Sequence, residues 1–183
     1  MITTSYAALL PSGLQAADVL AARRIGGARS HAKRVTPNRD TDAMEIEYDD
    51  DPRRVQRDVV RRWLTTEAYW GRWRGDADID ASIDGSWRVV GAYRADTGEL
   101  VGFARAVSDG VGFAYLADVF VVAEARGQGV ATGLVRTMID DGPGALFRWT
   151  LFTADAHGLY RKFGFGPADE TAMVRVAGDL VAR

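Results

Sequence analysis

Residues 117–134, Ala-Asp-Val-Phe-Val-Val-Ala-Glu-Ala-Arg-Gly-Gln-Gly-Val-Ala-Thr-Gly-Leu, run from an apolar, strand-like stretch through a glycine-rich turn into an amphipathic helical pattern. That order builds an anion site. Gly127 and Gly129 lack the Cβ atoms that would hold a ligand off the backbone. The amides of Gly127, Gln128, Gly129, Val130, Ala131 and Thr132 can therefore point at a phosphate, and the dipole of the following helix favours its charge. Arg126 adds a full positive charge to those donors. The ligand expected from these residues is a phosphate-bearing cofactor. A dinucleotide reading of Gly127-x-Gly129 fails on context: the next glycine, Gly133, is displaced by one position, and the polar Glu124-Ala125-Arg126 separates strand from glycines.

Arg126-Gly127-Gln128-Gly129-Val130-Ala131 resembles the Arg/Gln-x-x-Gly-x-Gly/Ala signature of the GNAT superfamily, the acetyl-CoA-dependent N-acetyltransferases. A second match follows in Ala154-Asp-Ala-His-Gly-Leu-Tyr-Arg-Lys-Phe-Gly-Phe165, where Ala156, Leu159-Tyr160 and Gly164-Phe165 fall at the spacings of that family's late helix. The likeness covers residues 46–177 and is closer still to a bacterial subgroup with Asp-Val-Phe-Val and Asp-Ala-His-Gly-Leu-Tyr segments.

The resemblance implies acetyl-CoA as cosubstrate and direct acetyl transfer to a primary amine, with a small-molecule acceptor favoured. A protein N-terminal acetyltransferase and a non-catalytic, regulatory acyl-CoA-binding module are the alternatives. It implies that the strand before the glycine turn parts at a bulge, which frees main-chain groups of Val119, Phe120 and Val121 for the pantetheine arm and the thioester oxygen. Tyr160 takes the place of the tyrosine that protonates the leaving thiolate. With reference values near 10 for tyrosine and 8.5 for a thiol, that transfer is uphill by about 2 kcal/mol, so either the tyrosine donates a hydrogen bond with late proton transfer or its pKa is lowered. Thr153 stands where the family often has Asn, which weakens one expected cofactor contact.

Asp118 is a lone carboxylate in an apolar strand. Burial would raise its pKa toward values useful to a base that strips the acceptor ammonium; the equal alternative is a group that bonds neighbouring amides or orients the substrate cation. Trp70 and Trp73, with Tyr69, lie where the first helix runs into the loop that lines the acceptor pocket in relatives, and could cage an ammonium or aromatic substrate. Trp63 reads as core. His157 could relay protons, with a surface or capping role favoured, and with His31 the only other histidine there is no metal cluster.

The elements that must hold these residues are legible in outline. Met44–Tyr48 alternates as a strand. Asp51-Pro52 starts a helix through Thr66, whose arginines 53, 54, 57 and 61 form a solvated row or, as the alternative, meet cofactor phosphates. A short helix over 77–84 precedes strands at 87–94 and 99–107, joined by Asp96-Thr97-Gly98. Strand 113–122, helix 127–140, strand 146–153, helix 155–163 capped by Asp155, and strand 172–176 complete the order. Hairpins first and crossovers later predict an α/β fold of the α+β type, a mixed, mostly antiparallel central sheet with helices on both faces.

Composition bounds the rest. A chain of 183 residues, 47% hydrophobic with a net charge of −2, suits one packed domain and requires neither nucleic acid nor an anionic membrane as partner. The absence of cysteine rules out an acyl-cysteine intermediate. No apolar run is long enough to span a bilayer and no secretion signal is evident, so the expected location is cytoplasmic. Residues 1–43 are expected to be a poorly ordered extension, 44–178 the acetyltransferase domain and 179–183 a tail. Dimers are common among the proteins it resembles, which leaves a homodimer open.

Overall fold

The computed structural model describes residues 33–35 and 44–175. They form six strands in the order β1 (Lys33–Val35), β2 (Ile46–Asp49), β3 (Arg88–Arg94), β4 (Leu100–Ser108), β5 (Phe113–Val121) and β6 (Arg148–Thr150). All neighbours are antiparallel except β5 and β6, which run parallel. α1 (Arg57–Thr66) and α2 (Asp76–Asp84) lie between β2 and β3, α3 (Val130–Met138) lies between β5 and β6, and α4 (His157–Tyr160) follows β6. β1 falls within the expected extension and pairs with β2; the rest of residues 1–43, and residues 176–183, lie outside the described residues.

The sheet separates two apolar layers. On one face Val130, Leu134, Val135 and Met138 of α3 pack on Val90, Ala92, Ala104 and Leu116, with Tyr160 of α4 joining them. On the other, Val60 and Leu64 of α1 and Ile79 and Ile83 of α2 meet Val89, Tyr93, Phe103 and Phe120. Gly133 is required where α3 crosses β2, because a Cβ there would fall 2.1 Å from the Tyr48 hydroxyl.

Several boundaries differ from the sequence expectation. Asp51 does cap a helical turn, accepting from the Arg53 amide, but that turn is a 3-10 helix over Pro52–Arg54 and the chain extends at Val55 before α1 begins. The break is tertiary in origin: Val55 drops into the core, and the Gln56 side chain donates to the Gly98 carbonyl at 2.9 Å and accepts from the Leu100 amide at 3.1 Å. The arginine row is occupied by acids, not left for phosphates. Arg54 reaches Glu47 and Asp49 and lies 4.3 Å over the Tyr93 ring, while Arg57 pairs with Asp84 and Arg61 with Asp80. Ala156, not Asp155, caps α4, and the Thr153 hydroxyl accepts from the Ala156 amide. The expected last strand does not form over residues 172–175, which are exposed.

Candidate active site

β5 carries an irregularity where the sequence placed a lone carboxylate. Phe103 pairs with Phe120 and Arg105 with Ala117, so Ala104 alone faces both Asp118 and Val119. Asp118 takes φ 49°, and no other non-glycine residue described has a positive φ. This is a bulge whose first residue is left-handed, a conformation that costs a non-glycine residue about 1–2 kcal/mol. The bulge turns the strand over. Leu116 packs with the α3 layer, yet Phe120, an even number of residues later, packs with the α1 layer, while Val119 and Val121 return to the α3 side.

The Asp118 carboxylate accepts hydrogen bonds from Trp70 Nε1 at 3.1 Å, Arg74 Nη1 and Nη2 at 2.9 and 2.8 Å, and Arg105 Nε at 2.6 Å. Its side chain is 4% exposed. The expectation of a raised pKa is corrected here. Burial alone would raise it, but the hydrogen bonds and charges of Arg74 and Arg105 outweigh burial and hold the carboxyl below its ordinary value. Sequence reasoning missed Arg105 and passed over Arg74 as a mere neighbour of Trp73. The signal for Arg105 was available: it is a lone charge in the apolar run Leu100-Val-Gly-Phe-Ala-Arg-Ala-Val107, as Asp118 is in its own.

Beyond Tyr115, which pairs with Thr150, β6 no longer accompanies β5. The edge of β5 from Leu116 to Val121 therefore faces a parting of the sheet, where the Arg126 guanidinium donates to the Val121 carbonyl at 3.1 Å. Phe120 stacks on Trp63 at 4.3 Å, so its side chain belongs to the core and only its main chain could serve a ligand. Below the parting, a 3-10 turn over Ala123–Ala125 leads to Gly127 at φ 75° and to Gly129 at φ 80°, the cap of α3. Nothing lies within 4 Å of where a Cβ would stand on either glycine. The glycines are thus needed for their left-handed backbone, and open space lies above them. Gln128 fastens the turn by donating to the Glu124 carbonyl and accepting from the Met44 amide, each at 3.2 Å. Val130 is buried, and Ala131 and Thr132 are half-buried at the start of α3.

Tyr160 sits at the end of α4, buried and edge-on to Phe165 at 5.9 Å. Its pKa is pushed up to about 12, chiefly by burial and further by Asp155, Tyr69 and Tyr115. This is the opposite of the lowered pKa that is one of the two expectations for it. The loop between α1 and α2 spans the parting: Tyr69 stands edge-on to Trp70 at 4.8 Å and its hydroxyl accepts from the Ala154 amide at 3.1 Å. Trp70 turns inward to Asp118, whereas Trp73 is 56% exposed. His157 is exposed, and among the described residues no cluster of His, Asp or Glu could hold a metal.

A mostly antiparallel sheet whose β5 edge is left unaccompanied beside a double-glycine helix start frames the site, and comparison with known proteins assigns its class. The Acetyltransferase (GNAT) family model matches residues 57–165, and the chain belongs to that family. It is an acyltransferase enzyme. A candidate acetyltransferase from Gibberella zeae is 30% identical over 132 residues, 61% of this chain and 73% of that protein. A crystal structure assigned to the GNAT family from Xanthomonas campestris pv. campestris superposes with a TM-score of 0.68 at 32% identity, covering 77% of this chain and 99% of that one. A Clostridium acetobutylicum acetyltransferase solved with acetyl-CoA shares the fold at 16% identity, with a TM-score of 0.51 and coverage of 71% and 96%. No described helix is long and apolar enough to cross a membrane.

Proposed function

We propose that the protein transfers acetyl directly from acetyl-CoA to the primary amine of a small molecule. The observation that carries this reading is the coincidence, at one opening in the sheet, of an unaccompanied β5 edge, an open double-glycine turn and a buried tyrosine. Acetyl-CoA supplies an acetyl group activated as a thioester. The amides from Gly127 to Thr132 and the Arg126 guanidinium hold its phosphates, and the main chain of Val119 and Val121 binds the arm and thioester oxygen. Tyr160 donates a hydrogen bond to the departing sulfur. Asp118, saturated by four donors, does not act as the base in this reading; the acceptor gives its proton to water, so the neutral amine fraction limits the rate.

Tyr69 and Trp73, each 56% exposed, and Phe152, 68% exposed, supply apolar surface to an acceptor. Asp118 carries one negative charge against the positive charges of Arg74 and Arg105, which disfavours a second cation on the substrate. The acceptor class is therefore a monoamine with a flat, apolar body. Calorimetry with acetyl-CoA followed by thiol release over a panel of arylalkylamines, polyamines, amino acid amides and peptide N-termini tests this. Turnover confined to peptides would replace the small-molecule assignment, and absence of acetyl-CoA binding would end the proposal.

A further inference from the structure

We propose that Arg74 and Arg105 are positioning residues, a guanidinium clamp on Asp118 that keeps β5 bulged and so decides which main-chain groups of Val119 and Val121 face the parting of the sheet. Donors from two elements distant in sequence converge on one carboxylate: Arg74 and Trp70 from the α1–α2 loop, and Arg105 from β4. The guanidinium side chains are 9% and 13% exposed, so neither is a surface ornament. Aspartate tolerates φ 49° better than most non-glycine residues but still at a cost, and these donors fix the carboxylate of the residue that takes it. Loss of the bulge would slip the register by one residue, sending Phe120 to the α3 side and Val119 and Val121 to the other. The same carboxylate ties the Trp70 loop to the sheet, so the two walls of the opening share one anchor. The functional half of this inference rests on the acetyl-CoA reading above; the structural half does not.

Asp118→Ala tests both halves, because alanine removes the carboxylate and keeps a Cβ that disfavours the left-handed backbone the clamp is argued to hold. Amide exchange over residues 116–121 should quicken at least about tenfold, kcat should fall by a similar factor, and added formate, filling the space between the guanidiniums, should reverse both. If the variant does not fold, Arg105→Lys and Arg105→Gln replace it: Lys keeps the charge and should stay within a few-fold of the parent, whereas Gln should show the same quickened exchange and lowered kcat, each by about tenfold. In Asp118→Asn, whose side chain tolerates the same backbone, the pH–rate limb should persist. Unaltered exchange and turnover in Asp118→Ala, equal losses in the Lys and Gln variants, or disappearance of the limb in Asp118→Asn would overturn the clamp. If the parent protein binds no acetyl-CoA, the exchange data still decide the structural half, while the functional reading fails separately.

Discussion

Replacing Tyr160 by Phe deletes one hydroxyl from a buried helix end and leaves the ring packed against Phe165. With the phenol at about 12 and a thiol near the reference of about 8.5, full proton transfer to the leaving sulfur is uphill by about 3.5 units, or close to 5 kcal/mol. The hydroxyl therefore acts as a donor to developing negative charge, an interaction worth about 1.5–3 kcal/mol, and its loss should lower kcat about 10- to 150-fold. KM for acetyl-CoA should change little, because the bond strengthens only as charge builds on sulfur. Single-turnover thiol release isolates the chemical step from product release, with circular dichroism as the folding control. A kcat within twofold of the parent, or an equal rise in KM with kcat unchanged, would refute the assignment.

Tyr48, Tyr93 and Tyr160 all sit at about 12 through burial. Their stabilisation is complete below pH 10, where native and unfolded phenols are both neutral, and is lost between pH 10 and 12, by up to about 2.7 kcal/mol per residue. The absorbance change of these three phenols, read as the part lost in Tyr48→Phe, Tyr93→Phe and Tyr160→Phe variants, should thus coincide with loss of far-UV circular dichroism in that window, and ionisation of any of the three near pH 10 without unfolding would contradict the burial. Gly129→Ala forces a Cβ onto φ 80° and should cost about 1–2 kcal/mol, lowering Tm by about 3–6 °C; an unchanged Tm would show that the turn relaxes freely. Arg126→Ala should weaken acetyl-CoA binding about tenfold at low salt and flatten its salt dependence, and calorimetry at two ionic strengths checks both.

Most elements were legible because their causes are local. The hairpin at Asp96-Thr97-Gly98 carries its own turn chemistry, with Gly98 at φ 71°, and α3 shows its stripe as Val130, Leu134, Val135 and Met138. The long first helix was misread because Gln56 finds its partners at Gly98 and Leu100, more than forty residues away, and no local pattern announces that break. The expected last strand does not form: Ala172, Met173, Val174 and Arg175 are exposed and pair with no strand among the described residues, so an apolar run by itself does not make a strand where no sheet surface buries it.

The sequence by itself determined the glycine turn, the helix it caps, the late Leu-Tyr and Gly-Phe pairs and hence the family, since these depend on backbone conformations that only certain residues adopt at fixed spacing. Tertiary structure decided the state of Asp118. A carboxylate alone in an apolar strand is expected to have a raised pKa until Arg74 and Arg105, 44 and 13 positions away in the chain, are brought within 3 Å of it and hold it below its ordinary value. Charge is written in the sequence, but the field around a charge is set by neighbours that only folding supplies.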